Sequence, residues 1–255
     1  MSQRLEGKVA TITGAASGFG AAGAIRFAAE GAKVIVADLD EKAGSEVVAR
    51  ITAAGGEAFF LRTDVTQEDD TRRLAEVAME RYGKLDVVWA NAGRAHPFLP
   101  ITEIPLDLFR AVFAVNVLGP FLTIRDSIPA LKAAGSSSVI ITASLSGLKA
   151  RPNLTAYQAS KGAAIMLAKS LAVELAPIGA RVNAINPVAG DTPMMNTFLD
   201  GIADGDAARK AVAAALPLGR LAQPDDVANA ALFLASDESS LITATDLGVD
   251  AGARA

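Results

Sequence analysis

Residues 8–20 read KVATITGAASGFG, and the helical pattern of residues 21–30 follows them directly. The first six residues form an apolar strand candidate, and Gly14, Gly18 and Gly20 space the loop after it. Glycines allow a tight turn and bring the backbone close to a pyrophosphate, which then lies at the amino end of the helix, where free N–H groups favour anions. The order of strand, glycine loop and helix therefore predicts a dinucleotide site. The spacing departs from the commoner Gly-x-Gly-x-x-Gly pattern, so an ordinary tight turn is the alternative.

Strand and helix patterns alternate along the rest of the chain. Strands are predicted at Lys8 to Thr13, Lys33 to Asp38, Ala58 to Arg62, Leu85 to Ala90, Ser138 to Ala143, Arg181 to Asn186 and Asp246 to Val249. Helices are predicted at Ala21 to Glu30, Glu41 to Ala54, Glu68 to Tyr82, Leu106 to Ala133, Ala156 to Ala176 and Asp225 to Ala235. This alternation predicts an α/β fold, a doubly wound parallel sheet of about seven strands with helices on both faces, known as the Rossmann fold.

One segment, residues 192–216, breaks this alternation. It contains Gly201 and Gly205, which permit the backbone to change shape. We predict a single domain over residues 1–255, in which residues 192–216 form a substrate lid; an inert insertion is the alternative.

Composition excludes several classes of function. The 255 residues carry a net charge of −4 and no basic stripe, so we expect no nucleic-acid partner. We find no apolar run of the ~18 residues that a membrane span needs, and no hydrophobic signal core, so we expect a cytoplasmic protein without a membrane partner. With no cysteine and one histidine in the chain, we expect no metal site.

A possible proton-transfer site involves Tyr157 and Lys161, which lie four residues apart on one predicted helix and are therefore neighbours. A free tyrosine titrates near pH ~10, and a nearby ammonium favours its phenolate. Ser144 follows the apolar run of residues 139–142, where a strand would deliver its hydroxyl to the same place. The trio suits proton transfer to or from an alcohol oxygen. The alternative is a half-buried tyrosine beside a solvated lysine, with Ser144 bonded to local backbone.

Five motifs in this order resemble the short-chain dehydrogenase/reductase family over nearly the whole chain. They are Thr13-Gly14-x-x-x-Gly18-x-Gly20, Asn91-Ala92-Gly93, Asn116, Ser144 and Tyr157-x-x-x-Lys161. The resemblance implies that Asn116 anchors a water linking Lys161 to solvent; a buried amide that holds a bend or bonds a neighbouring helix is the alternative. Apolar stretches at 112–124, 163–175 and 241–249, together with the resemblance, predict a homotetramer, with a dimer as the alternative. Two positions depart from the family pattern: Val188 and Ala251 stand where the family usually has glycine.

Asp38 ends the second predicted strand, and its negative charge predicts which nicotinamide cofactor the protein binds. A carboxylate there accepts hydrogen bonds from ribose hydroxyls and repels a 2′-phosphate, and Leu39 follows it, so NAD is expected in preference to NADP. A cap on the next helix is the alternative role for Asp38. By resemblance, the cofactor site also comprises Ser17, Phe19, Leu39, Asp64, Val65, Asn91, Ala92, Gly93, Tyr157, Lys161, Pro187 and Thr192.

The expected function is NAD-dependent interconversion of a secondary alcohol (a sugar, polyol or cyclic alcohol) and its ketone, with Tyr157 as general acid/base. Within the family, a 3-oxoacyl thioester (acyl carrier protein) reductase is the rival, and a non-catalytic NAD(H)-binding redox sensor is the alternative of another class. The loop from Arg94 to Phe98, together with Lys149 and Arg151, could place cations at the mouth of the pocket. The alternative is that these charges are solvated surface residues without a role in binding. The predicted substrate contacts are His96, Ser146, Asn153, Val188, Met194, Met195 and Phe198.

Overall fold

The computed structural model describes residues 3–255 and contains one sheet of seven strands, all parallel. The strands are β1 Val9–Thr13, β2 Lys33–Asp38, β3 Glu57–Arg62, β4 Val87–Ala90, β5 Ser137–Thr142, β6 Ala180–Pro187 and β7 Asp246–Val249. Their order is β3-β2-β1-β4-β5-β6-β7, so the direction of winding reverses between β1 and β4. The predicted doubly wound fold is confirmed, with strand ends displaced by at most two residues.

Nine α-helices accompany the sheet in the described part of the chain. They are α1 Gly18–Ala29, α2 Glu41–Ala53, α3 Glu68–Tyr82, α4 Leu106–Phe113, α5 Gly119–Ala134, α6 Thr155–Leu175, α7 Met194–Phe198, α8 Gly205–Ala214 and α9 Pro224–Ala235. Two cores cover the two faces of the sheet: α1, α2 and α9 pack on one face, and α3, α5 and α6 on the other. The central strands β1, β4 and β5 are buried at every position because helices cover both of their faces.

The predicted helix Leu106 to Ala133 is divided by a π-helical turn at Ala114–Leu118. Such turns leave one residue unpaired by the usual helical bonds and are frequent at functional sites. Asn116 lies in this turn and is buried, as the apolar run around it indicates, whereas the sequence pattern does not reveal the turn itself.

The hydropathy of the stretch Leu106–Ala134 bears on the expectation that no membrane span is present. It is long and apolar enough to cross a membrane by length and composition, although charged residues interrupt it. In the structure α5 packs on α3 and on β4, and α4 packs on α6, as layer helices of the fold do.

The segment 192–216 is more regular than its sequence indicates. It contains α7 and α8, joined by a turn in which Gly201 has φ +80°. The Asp204 side chain caps α8 by accepting a hydrogen bond from the Ala207 N–H at 2.9 Å. None of the α8 residues is buried, but Val212 and Ala213 are partly buried against the apolar cluster that contains Leu216 and Leu221.

Candidate active site

The glycine loop between β1 and α1 is built for close approach of backbone. Gly14 has φ +63°, and a Cβ there would lie 2.7 Å from the Cα of Ala92. A Cβ on Gly20 would overlap the Gly14 carbonyl oxygen. The first turn of α1 has no acidic residue and no side-chain cap, so its amide groups are available to an anion. The loop therefore fits the diphosphate of a dinucleotide.

Asn91 fixes the start of this loop through hydrogen bonds from its side chain. Its side-chain Nδ2 donates to the carbonyl oxygens of Thr13 and Gly14, each at 3.1 Å. Its Oδ1 accepts from the Thr142 hydroxyl at 3.0 Å, and that hydroxyl accepts from the buried Trp89 Nε1 at 2.8 Å. Asn91 is thus more than a turn residue, because it joins the ends of β1, β4 and β5. Thr142 and Trp89 were missed by the sequence reasoning, since nothing in their spacing marks them.

Asp38 lies at the carboxyl end of β2 and lines the cavity. Its carboxylate accepts hydrogen bonds from the N–H groups of Ala16 at 2.9 Å and Asp40 at 3.1 Å. The N-cap of α2 is Asp40, whose side chain accepts from the Ala43 N–H. The alternative in which Asp38 caps the following helix is therefore wrong.

Tyr157, Lys161 and Ser144 are brought together as predicted. They line one cavity, and each side chain is buried, with 6% exposure for Tyr157, 3% for Lys161 and 9% for Ser144. The Lys161 Nζ donates to the Thr142 carbonyl oxygen at 2.8 Å and lies 5.8 Å from the centre of the Tyr157 ring. Ser144 belongs to the turn after β5, where its Oγ accepts from the Ser146 N–H at 3.1 Å.

The pKa of Tyr157 in the protein without ligands is shifted in the direction opposite to the one expected from the sequence. Burial raises the pKa of Tyr157 from 10.0 to about 12, and the neighbouring Ser144 hydroxyl acts in the opposite direction. Burial also lowers the pKa of Lys161 from 10.5 to about 8. Desolvation of both groups outweighs the expected stabilisation of the phenolate by the ammonium, because both lie in a region closed to solvent.

Asn116 makes three hydrogen bonds and does not line the cavity. Its Nδ2 donates to the Arg94 carbonyl oxygen and the Ser160 hydroxyl, each at 2.9 Å, and its Oδ1 accepts from the Arg94 N–H at 2.7 Å. Gly93 separates it from Lys161: a Cβ there would lie 3.6 Å from both the Asn116 Oδ1 and the Lys161 Nζ. Asn116 thus fixes the loop after β4 beside Lys161, while its role in proton exit stays a prediction.

The cavity has a volume of about 470 Å³ and extends from Asp38 to the segment 192–216. Most of the predicted site residues line it, namely Gly14, Ser17, Gly18, Phe19, Asp38, Leu39, Asp64, Val65, Asn91, Ala92, Gly93, Ser144, Ser146, Tyr157, Lys161, Pro187, Val188, Thr192, Met194, Met195 and Phe198. Gly20 lies behind the lining, in contact with the Gly14 backbone. The Phe198 ring of α7 meets the Tyr157 ring edge-on, with centres 5.3 Å apart.

Two predicted substrate contacts are corrected, because His96 and Asn153 do not line this cavity. His96 is fully buried, and its Nε2 lies 3.3 Å from the Tyr157 backbone N–H, which donates to it. Its Nδ1 faces the Pro97 carbonyl oxygen at 2.6 Å. His96 therefore satisfies a free N–H in the first turn of α6 rather than facing a substrate. Asn153 has φ +65°, and its carbonyl accepts from the Leu99 N–H.

The two departures from the family pattern are accommodated differently. Val188 lines the cavity and packs in a small apolar cluster with Leu145 and Met195. Ala251 adopts φ +53° in the turn after β7, a left-handed conformation that costs an alanine about 1–2 kcal/mol. Val188 therefore shapes the cavity wall, whereas Ala251 carries local strain outside it.

Comparison with known proteins agrees with this geometry. The sequence model of a family described as "Enoyl-(Acyl carrier protein) reductase" matches residues 14–254. The chain is 41% identical to the 2,5-dichloro-2,5-cyclohexadiene-1,4-diol dehydrogenase of Sphingobium indicum, covering 99% of this chain and 98% of that protein. It is 38% identical to the cis-4-hydroxycyclohexanecarboxylate dehydrogenase of Sinomonas cyclohexanicum, covering 99% and 98%.

A solved structure of a 3-ketoacyl-(acyl-carrier-protein) reductase from Brucella melitensis, complexed with NADH, superposes with a TM-score of 0.91. It is 40% identical, and the match covers 98% of this chain and 100% of that one. The chain carries the same fold and a nicotinamide cofactor site, and it is an oxidoreductase that interconverts alcohols and ketones. It belongs to the short-chain dehydrogenase/reductase family.

Proposed function

We propose that this protein is an NAD-dependent dehydrogenase of a secondary alcohol carried on a ring, with Tyr157 as the general base. The observation that carries the proposal is the joint burial of Tyr157, Ser144 and Lys161 at the end of a cavity whose other end holds Asp38. The two relatives named above oxidise six-membered-ring alcohols by name, which supports a cyclic alcohol over a sugar or polyol. We include in the proposal the single domain of residues 1–255, a cytoplasmic location and a homotetramer.

The chain's own groups divide the reaction between them. Ser144 holds the substrate oxygen, and Tyr157 takes its hydroxyl proton. Lys161 would hold the cofactor ribose, and its positive charge favours the Tyr157 phenolate against the burial that disfavours it. An oxidised nicotinamide cofactor, held by the glycine loop, Asp38 and Lys161, would supply the hydride acceptor and a positive charge in the cavity. Apolar side chains from α7 exclude water from the reacting carbon, because Phe198 already covers the Tyr157 ring.

The test of this mechanism is an NADH-absorbance assay across cyclic, polyol and sugar alcohols, with Tyr157→Phe beside the wild type. The substitution removes only the hydroxyl, so turnover should fall by about 10²-fold or more while cofactor affinity changes little. Tyr82→Phe is the matched control, because Tyr82 is the chain's other tyrosine and ends α3, away from the cavity. Retention of most of the wild-type rate by Tyr157→Phe would contradict the mechanism.

Preference for NAD rests on Asp38. No lysine or arginine lines the cavity near it within residues 3–255, so nothing offsets the repulsion of a 2′-phosphate. Catalytic efficiency should favour NAD over NADP by at least ~10-fold, which corresponds to about 1.4 kcal/mol. Asp38→Ser should bring the two efficiencies closer together, and Asp40→Ser, which alters only the α2 cap, should not. Equal efficiencies in the wild type would show that Asp38 does not select the cofactor.

A second candidate function is reduction of a 3-oxoacyl thioester on an acyl carrier protein. It is favoured by the description of the matching family and by the name of the superposed structure. The same assay separates the two, since that reaction would consume NAD(P)H with a 3-oxoacyl thioester. Efficient reduction of such a thioester, with no oxidation of any cyclic alcohol, would favour this candidate.

A further inference from the structure

We propose that the substrate carries an anionic group, such as a carboxylate, away from its reacting carbon, and that Arg94 and Arg151 bind this group. The inference rests on the proposed function, because it assumes that the alcohol lies at Tyr157. Beyond the proposed function, the substrate is then negatively charged, and Arg94 and Arg151 recognise that charge.

Charge is distributed unevenly along the cavity. The carboxylates that line it are Asp38, which ends β2, and Asp64, which follows β3, both on the glycine-loop side of the cavity. The cations that line it are Arg94, Arg151 and Lys161, which lie on the Tyr157 side. No acidic residue of the described chain lines that second side. Because a cleft lined by one sign of charge concentrates ligands of the opposite sign, this side favours an anion.

The two arginines are held by their backbones, while their guanidinium groups have no hydrogen-bond or ion-pair partner among residues 3–255. The Arg94 N–H and carbonyl are both bonded to the Asn116 side chain, and the Arg151 carbonyl accepts from the Gln158 Nε2 at 3.0 Å. Within residues 3–255 the ion pairs involve other arginines, such as Arg209 with Asp191 and Arg254 with Asp250. An arginine fork without a partner at the edge of a cavity can bind a carboxylate through two parallel hydrogen bonds.

An apolar wall lies beside the reacting hydroxyls of Ser144 and Tyr157. The cavity there is lined by Phe98, Leu145, Val188, Met195 and Phe198. These side chains suit a hydrocarbon ring and leave its anionic substituent to the arginines at the opening. Both arginine side chains are exposed, so they contribute less than a buried pair and their effect falls with salt. We therefore expect the two arginines to favour binding of an anionic ligand over its neutral counterpart by about 10-fold.

The experiment compares ligands that differ only in charge. Cyclohexanecarboxylate and cyclohexanecarboxamide are titrated calorimetrically into the NAD-saturated protein, and hydroxycyclohexanecarboxylates and the corresponding carboxamides are assayed for turnover. The variants are Arg94→Met, Arg151→Met and the double substitution, with Arg50→Met as control, because Arg50 is exposed on α2 and does not line the cavity.

We expect the carboxylate to bind about 10-fold more tightly than the carboxamide. The double substitution should abolish that difference by weakening only the carboxylate, and Arg50→Met should leave it intact. Equal binding of the two ligands, or an equal loss of both in the double variant, would overturn the proposal. Binding that follows the expected pattern without turnover of any alcohol would support the anion site and count against the proposed function instead.

Discussion

At the scale of single residues, the buried Lys161 is the most consequential group, because its pKa is lowered to about 8 in the folded chain. Between pH 8 and pH 10.5 the unfolded chain binds this proton more strongly than the folded chain does, so raising the pH through this window favours folding. The free energy of unfolding of the wild type, relative to Lys161→Met, should therefore rise across the window by up to about 3 kcal/mol.

Urea unfolding at pH 7.5 and pH 9.5 measures this change. Lys169→Met is the matched control, because Lys169 lies on the same helix but is 40% exposed and pairs with Asp246. A difference between the wild type and Lys161→Met that is the same at both pH values would show that Lys161 is not desolvated.

At the scale of elements, the segment 192–216 is the part expected to move. Its α8 has no buried residue, whereas α7 already contacts Tyr157 through Phe198. Elements with few buried contacts open most easily, and lids are drawn from them. Amide exchange between Thr192 and Gly205 should be fast in the free protein and slower when NAD and a substrate analogue are bound together.

The amides of α9 serve as the internal reference for this exchange measurement, because this helix is packed in the core. Protection of residues 192–205 that is already high without ligand, or that ligands leave unchanged, would mean that the segment is a fixed wall. Val188 and the methionines would then shape a rigid pocket.

At the scale of the whole molecule, α4, α5 and α6 carry exposed large apolar side chains, namely Leu106, Phe109, Phe121, Met166 and Val173. Met166 and Val173 are 63% and 77% exposed and lie seven residues apart on one face of α6. Closed homo-oligomers are the usual way of covering such surfaces. Light scattering at micromolar concentration should therefore give a tetramer, or a dimer at the least.

The double substitution Met166→Glu with Val173→Glu should shift the mass to a smaller species. Leu218→Glu is the control, because Leu218 is 70% exposed but lies outside these helices. A wild-type monomer would contradict the expected assembly.

Local patterns in the chain determine the strands, the glycine loop, the acidic end of β2 and the trio of Ser144, Tyr157 and Lys161. These features are predictable because hydrophobic period, glycine spacing and helical neighbours are properties of short segments. The doubly wound parallel sheet is predictable from the alternation of strands and helices, because right-handed crossovers leave few ways to build such a sheet.

Tertiary packing alone decides the remaining features. The π-helical turn around Asn116 and the inward position of His96 are accompanied by hydrogen bonds to backbone distant in the chain, at Arg94 and Tyr157 respectively. Burial also reverses the expected shift of the Tyr157 pKa, because the cost of desolvation depends on everything that surrounds the phenol. These features depend on neighbours that are far apart in the chain, so a sequence pattern of a few residues does not predict them.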